Sequence, residues 1–439
     1  MRNLAKLLMA RGISVTGSDL KESRGLVELR EAGATVWVGH TPEQVGTPDA
    51  VVISSAIGER NSELAEARRS GLAVWARAQV LAAAARGRRS IAVAGTHGKT
   101  TTTSMIAVIL ERAGLDPTFV IGGDLNEIGS GARAGAGDLF VAEADESDGS
   151  FLLMRPSIGI VTNVEVDHVD FYPGGRSEIE SAFAAFVVAS KDVVACGDDP
   201  GTRRAIAAAG RKALTYGTSA GNQMRLEILS AGPGGARGTI RSADGAADLS
   251  LTVDGAHNLM NATAAIAAVG LVDVDAASAA QHLSSFAGVR RRFELRGVVR
   301  GARFYDDYGH VPTELSVTLD VARLTGPRRL LAVFQPHRYS RTQALWKELG
   351  QSLTEADLIV VTDVYGADQD PIPGVTGKLV VEGINRAAPG KRVVYLPHRT
   401  DVVRFLEQEV REGDVVITMG CGDVWMLGDA ARERIRGTG

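Results

Sequence analysis

Short runs of valine, isoleucine, leucine and alanine recur along this chain, each closing in glycine or a polar cluster and each followed by apolar residues three and four apart. A run apolar at every position suits a strand buried on both faces, and the 3.6-residue period suits a helix covering it, so the pattern predicts βα units around mainly parallel sheets. Leu4, Leu7 and Leu8 place a helix at the start, with Gly12 as its stop, and strands follow over 13–17, 34–38, 50–53 and 72–75. This first block reads as a small doubly wound unit that ends at 86–89. A second block opens with a strand over 91–94, a glycine loop and a helix over 99–113, and continues with strands over 139–143 and 158–162. Later, 225–230, 238–241 and 249–253 alternate apolar and polar residues around the turn Gly232, Pro233, Gly234, Gly235, which predicts an antiparallel extension. Helices from Asn258 and Ala276 close the block, and 286–293 reads as a hinge. The third block alternates again, with strands near Phe304 and over 330–334, 358–362, 393–396 and 415–419. The expectation is an α/β chain of three domains, 1–87, 88–292 and 293–439. The first and third are Rossmann-like, and the central one joins a mainly parallel sheet to an antiparallel extension.

Composition narrows the function more than the fold. The 48 Lys and Arg against 52 Asp and Glu leave a net charge of -4 with no block of one sign, which argues against nucleic acid or an anionic membrane as partner. Cys196 and Cys421 fall in different blocks, so no disulfide framework is available, and both read as buried or neutral thiols of a reducing compartment. The chain shows no apolar leader and no uninterrupted apolar run of about 18 residues, from which a cytoplasmic location is expected. Both a monomer and a homodimer fit.

The chemistry concentrates where strands end. Gly95, Thr96, His97, Gly98, Lys99, Thr100 and Thr101 lie between a strand and a helix, where consecutive N–H groups and the helix N-terminus converge on an anion. A triphosphate fits there, with Lys99 reaching its β and γ oxygens and the Thr100 hydroxyl a ligand for Mg²⁺. Val93 stands where the usual phosphate-loop template has its first glycine, so the loop is a shortened variant. The strand over 139–143 ends in Glu143, Ala144, Asp145 and Glu146, and the next in Asn163, Val164, Glu165, Val166, Asp167 and His168, at the same sheet edge. Glu143 and His168 share metal duty with Thr100 on one reading; on the other, His168 is a satisfied loop histidine. Asn258 and Asn261 are amides on one helical face that suit a purine edge, or an N-cap with a chance neighbour. Arg290, Arg291 and Arg292 are either a solvated run or neutralise a polyphosphate. In the third block, Tyr308 and His310 follow one strand and Arg338 and Arg341 the next, and two arginines three apart at a helix start can clamp a carboxylate or phosphate.

Taken in order, GTHGKTTTT, AEADESDGSF, TNVEVDH, GAHNLMNA, GVRRRFE, DDYGHVPTE and FQPHRYSRT resemble the Mur ligases of peptidoglycan synthesis, and the similarity runs from near residue 1 to the closing GCGDVWMLG at 420–428. The resemblance implies three domains that take a UDP-sugar, ATP and an amino acid in turn, and through the third-block motifs it implies UDP-N-acetylmuramate and L-alanine as the substrates. It implies that Lys99 contacts the γ-phosphate, that Thr100, Glu143 and His168 coordinate Mg²⁺, that Asn258 and Asn261 bind adenine, and that Arg292 lies near the phosphates. It places Tyr308 and His310 near adenine and the acceptor amine, and Arg338 and Arg341 near the reacting carboxylate and alanine. Asp19, His40, Ser54 and Ser55 match positions that hold the UDP part. The implied reaction activates the lactyl carboxylate as an acyl phosphate, which the alanine amine then attacks.

Two departures stand out. The family begins with a strand and a glycine-rich loop, and Met1 falls where that loop's methionine should be, so the first block is expected to lack its central strand, through a start assigned too late. Val311 replaces a second histidine after His310, a change expected to be tolerated. A switch or motor ATPase and a non-catalytic ATP-binding remnant are the rival classes; the first needs a partner-facing surface that nothing in the sequence suggests, and the second binds nucleotide without ligation.

Overall fold

The computed structural model describes residues 1–54, 57–126, 128–167, 171–232, 234–367 and 369–437. Ser55 and His168, both candidates above, lie outside the described residues. The chain divides into two compact units, one of Met1–Ala231 with Gly235–Ala287 and one built from Gly288 onward. Among the described residues no helix is long and apolar enough to cross a membrane.

The first unit opens with α1 (Arg2–Ala10), then β1 (Thr16–Asp19), α2 (Arg24–Glu31), β2 (Thr35–Val38), β3 (Ala50–Ile53), α3 (Ser62–Arg69), β4 (Ala73–Ala76) and α4 (Arg77–Ala85). The sequence led us to expect one doubly wound sheet. With its central strand expected to be absent, among the described residues β1 pairs only with β2 and β3 only with β4, both in parallel, giving two separate two-stranded sheets. Parallel strands normally have both faces and both edges covered. Here each strand is bonded along one edge, and Val36 is the one buried residue among the four strands.

A ten-stranded sheet forms the rest of this unit. Its elements are β5 (Arg89–Ala94), α5 (Lys99–Arg112), β6 (Thr118–Val120), β7 (Ala132–Arg133), β8 (Leu139–Glu143), β9 (Ile158–Val161), α6 (Arg176–Ala189), β10 (Asp192–Cys196), α7 (Pro200–Ala209), β11 (Leu214–Gly217), β12 (Met224–Ser230), β13 (Ala236–Ser242), β14 (Gly245–Leu251), α8 (Ala256–Gly270) and α9 (Ala276–Leu283). The strand order is β14-β13-β12-β11-β10-β9-β5-β8-β6-β7. Pairing is parallel from β12 through to β6, while β12, β13 and β14 are mutually antiparallel, as the alternating pattern predicted. Central strand β5 lies between β8 and β9, so its end is the point where the chain can leave to either side, the usual ligand position of such sheets. Ile91, Val93, Phe140, Val141 and Ile160 have no exposed surface. Helix α5 is buried from Thr102 to Leu110 because it lies between this sheet and α8, and its polar residues are satisfied inwardly: Thr103 Oγ1 donates to Lys99 O and Ser104 Oγ to Thr100 O.

The second unit runs β15 (Glu294–Val299), β16 (Ala302–Asp307), α10 (Pro312–Leu324), β17 (Arg329–Phe334), α11 (Tyr339–Ser352), β18 (Leu358–Val361), α12 (Lys378–Ala387), β19 (Arg392–Tyr395), α13 (Arg399–Glu409), β20 (Asp414–Met419) and α14 (Trp425–Gly437). Its sheet has the order β15-β16-β20-β17-β18-β19, all parallel except β15. Helix α11, which carries the paired arginines, is seated on α12 through bare backbone. A Cβ at Gly350 would lie 2.3 Å from the carbonyl carbon of Gly383, and one at Gly383 would lie 2.4 Å from the Trp346 oxygen. No side chain can move aside there. Gly350→Ala is therefore expected to destabilise the second unit by about 1–3 kcal/mol through overpacking, read as a fall in its urea midpoint; an unchanged midpoint would contradict this helix seating.

Candidate active site

The phosphate loop is set by two glycines. Gly95 has φ +141°, and a Cβ there would come within 1.9 Å of Thr162 Oγ1. Gly98, the N-cap of α5, has φ +80°, with Asn261 Oδ1 only 2.5 Å from the place of its missing Cβ. Both positions need glycine for space as well as for conformation. The segment after β9 then braces the loop. Thr96 N donates to Asn163 O at 3.1 Å and His97 N to Asn163 Oδ1 at 2.8 Å. Thr162 Oγ1 and Asn163 Nδ2 donate to His97 O at 2.6 and 3.1 Å, and Glu165 N donates to Thr96 Oγ1 at 2.9 Å. His97 Nε2 lies 3.2 Å from Glu165 Oε2.

Lys99 is folded into this loop. Its Nζ donates to Gly95 O at 2.5 Å, to Thr96 O at 3.2 Å and to Glu146 Oε1 at 2.8 Å. Burial works against the ammonium, but Glu146, with Asp145 and Glu143 beyond it, outweighs that and holds Lys99 above the ordinary lysine range. Glu146 is buried as well. Desolvation pushes its carboxyl up to about 7, although Lys99 pulls the other way. Beside the lysine, Thr100 Oγ1 donates to Glu143 Oε2 at 3.2 Å, and Gly122 N donates to Glu143 Oε1 at 2.5 Å. A hydroxyl and a carboxylate this close are the all-oxygen donor set that a hard divalent cation takes when phosphates and water complete its shell. Among the described residues no group of three or more His, Cys, Asp or Glu forms a closed metal cage. Thr100 and Glu143 fit a Mg²⁺ whose shell a nucleotide and water complete. On α8, Asn258 Nδ2 donates to Asp254 O at 2.7 Å, and Asn261 receives Thr102 Oγ1 at 3.4 Å, so Asn261 flanks the loop directly.

In the two small sheets, Asp19 ends β1 in an exposed position, His40 follows β2 and Ser54 follows β3. His40 is the most engaged of the three, contacting Ser18 and Glu63.

The second unit gathers its candidates at the ends of β16 and β17. Buried Asp307 organises the first turn: it accepts from Gly309 N at 2.7 Å, Thr318 Oγ1 at 3.1 Å and Phe293 N at 2.8 Å, and burial raises its carboxyl above the ordinary range. Tyr308 is flanked by the guanidinium groups of Arg291 and Arg292, each 5.1 Å from its ring centre, and desolvation pushes its phenol up to about 12. The basic run does not act as one patch. Arg291 is committed to Asp306 Oδ2 at 2.9 Å, Gly420 O at 2.7 Å and Gly422 O at 3.1 Å, whereas Arg292 lies 3.8 Å from Glu314. His310 Nδ1 lies 3.1 Å from Tyr308 O, and its ring meets His337 edge-on at 5.9 Å. His337 in turn stacks on Tyr365 at 5.7 Å and lies 3.3 Å from Arg341 Nη1. Arg338 caps α11 at φ +65°, and Arg341 is buried one turn on. Val311 is the buried N-cap of α10. Cys196 is buried, and desolvation raises both thiols, that of Cys421 to about 12, as expected of neutral thiols.

Three family models cover most of the chain: the Mur ligase family catalytic domain at 1–89, the Mur ligase middle domain at 93–269, and the Mur ligase glutamate ligase domain at 291–422. The chain belongs to the Mur ligase family. The UDP-N-acetylmuramate–L-alanine ligase of Rubrobacter xylanophilus is 46% identical to this Mur ligase over 440 residues, 99% of this chain and 97% of that one. The enzyme of the same name from Thermobifida fusca is 45% identical over 449 residues, 99% and 94% of the two chains. Among solved structures, the UDP-N-acetylmuramate–alanine ligase of Thermotoga maritima matches with a TM-score of 0.85 at 27% identity, covering 100% of this chain and 97% of that one. A murein peptide ligase from Psychrobacter arcticus matches with a TM-score of 0.75, also at 27% identity, over 99% and 95%.

Sequence reasoning passed over Glu146, Thr162 and Asn163 as working parts of the phosphate loop, though they sit inside two of the motifs that carry the resemblance. Glu146 gives this region a definite pH dependence. The folded carboxyl holds a proton up to about 7, while an ordinary glutamate releases it near 4.5, so the folded state is favoured at low pH and its stability falls as pH rises between those values. Hydrogen exchange of α5 amides is expected to speed up from pH 5 to pH 8, after correction for intrinsic exchange, and Glu146→Gln is expected to flatten that change. A slope unaltered in the variant would assign it to another group.

Proposed function

We propose that this Mur ligase joins L-alanine to the lactyl carboxylate of UDP-N-acetylmuramate, with ATP converted to ADP and phosphate, as a step of peptidoglycan synthesis in the cytoplasm. The observation that carries the reading is full-length identity of up to 46% to ligases of that name, together with a glycine loop whose lysine bonds Glu146 and whose threonine bonds Glu143. We assign the nucleotide-sugar to the first block, through Asp19, His40, Ser54 and Ser55, and ATP to the central sheet, through 95–101, Asn258 and Asn261. The second unit takes the amino acid.

Joining a carboxylate to an amine in water is uphill, so the carboxylate must first gain a leaving group. Attack of the lactyl carboxylate on the γ-phosphate releases ADP and forms an acyl phosphate; the amine of alanine then adds to its carbonyl and phosphate departs. Lys99, already buried at the loop, gives a γ-phosphate a fixed positive charge as negative charge builds on it. Mg²⁺ held by Thr100 and Glu143, with His168 as the further ligand, would neutralise phosphate charge. Arg338 and Arg341 supply the guanidinium groups for the reacting carboxylate and alanine, with Tyr308 and His310 near adenine and the acceptor amine and Arg292 near the phosphates.

The test is phosphate release from ATP and Mg²⁺ with UDP-N-acetylmuramate present, with and without L-alanine. Alanine-dependent release is expected, falling by roughly 10²–10³ in Lys99→Ala, the scale of losing one preorganised charge at a transition state. Release that ignores alanine, or that needs a peptide in its place, would overturn the assignment.

A further inference from the structure

One side-chain cluster in the first unit has no part in the phosphate loop. Ser18 on β1, His40 after β2 and Glu63 in the first turn of α3 meet at a single point. Ser18 Oγ donates to Glu63 Oε2 at 2.6 Å and lies 2.8 Å from His40 Nδ1, and Glu63 Oε2 lies 3.2 Å from the same nitrogen. The His40 and Glu63 side chains are only 14% and 18% exposed, and Ser62 Oγ holds the His40 backbone by donating to its carbonyl at 3.0 Å.

The proton arrangement follows from what each group can do. Glu63 lies in the first turn of a helix, and its carboxylate only accepts. The single hydroxyl proton of Ser18 goes to Glu63, so the serine oxygen faces His40 as an acceptor. With two acceptors against Nδ1, that nitrogen carries the hydrogen. Among the described residues no group bonds the other ring nitrogen, Nε2. The ring is thus fixed in one orientation and one tautomer, with a single polar atom left for a ligand.

We propose that Glu63, acting with Ser18, is a positioning residue for nucleotide-sugar binding: it fixes His40 so that Nε2 is presented to the polar groups of the UDP-sugar. This rests on the reading of His40 as a contact of that substrate. Glu63 does not touch the substrate and acts only through the imidazole.

Because these hydrogen bonds also tie the first small sheet to a helix that packs on the second, the test must separate positioning from tethering. Binding of UDP-N-acetylmuramate to the full chain is measured by calorimetry for wild type, His40→Ala, Glu63→Gln and the double variant, with KM for each substrate and kcat alongside. Glu63→Gln is expected to weaken sugar-nucleotide binding roughly tenfold and to raise that KM far more than it alters kcat or the KM for ATP. In the His40→Ala background the same change is expected to add less than about twofold, since the ring it acts through is gone. Equal losses in both backgrounds would make Glu63 a tether and overturn the proposal. A loss in His40→Ala without one in Glu63→Gln would overturn it too, leaving His40 as the contact. A His40→Ala protein that binds like wild type would remove the underlying reading, and the proposal with it.

Discussion

The nucleotide end of this enzyme depends on how closely the chain after β5 can pass the end of β9. Gly95 lies so near the Thr162 hydroxyl that no side chain fits between them, and this proximity brings Thr96 and His97 onto the polar groups of Thr162, Asn163 and Glu165. The brace turns the loop into the start of α5, and α5 then delivers Lys99 to Glu146 and Thr100 to Glu143. Each of these side chains would be costly to bury alone. They are buried together because the sheet edge supplies both carboxylates, and the arrangement is ordered before any ligand arrives.

The second unit meets the same demand by different means. Its two consecutive buried aspartates are satisfied separately. Asp306 takes Arg291 and Thr418 Oγ1, and Asp307 takes backbone N–H groups and Thr318. The Arg291 guanidinium goes on to bind the carbonyls of Gly420 and Gly422, fixing the loop after β20 against the turn that carries Tyr308. From there His310 meets His337 at a ring separation of 5.9 Å, and His337 both stacks on Tyr365 at 5.7 Å and lies 3.3 Å from Arg341 Nη1. Neighbouring arginines in the sequence thus serve opposite ends, Arg291 holding the architecture and Arg292 lying beside a glutamate at the site.

Much of this was legible in the sequence, for reasons that differ by element. β8, β17, β18 and β20 are mostly apolar and mostly buried, and α5 is announced by a glycine loop, so period and punctuation located them closely. β6 and β7 are only three and two residues long, too short to show a period. β15 was missed because Gly297 sits at a register shift and breaks its alternation. In the first block the pattern announced a doubly wound unit without its central strand, but pattern does not say which strands pair, and the structure divides them two and two. At the sites, residue types exposed the phosphate loop and the paired arginines. The roles of Glu146, Asn163 and Glu63 were hidden, because each is defined by a partner at least 23 positions away in sequence.

The most direct test of this account is nucleotide binding by Gly95→Ala, followed with a fluorescent ATP analogue in the presence of Mg²⁺. The close approach of β5 to β9 predicts that the added methyl group expels the loop from its brace and abolishes binding, while the second unit's unfolding transition stays where it was. Binding within twofold of wild type would contradict the claim that this contact creates the phosphate site.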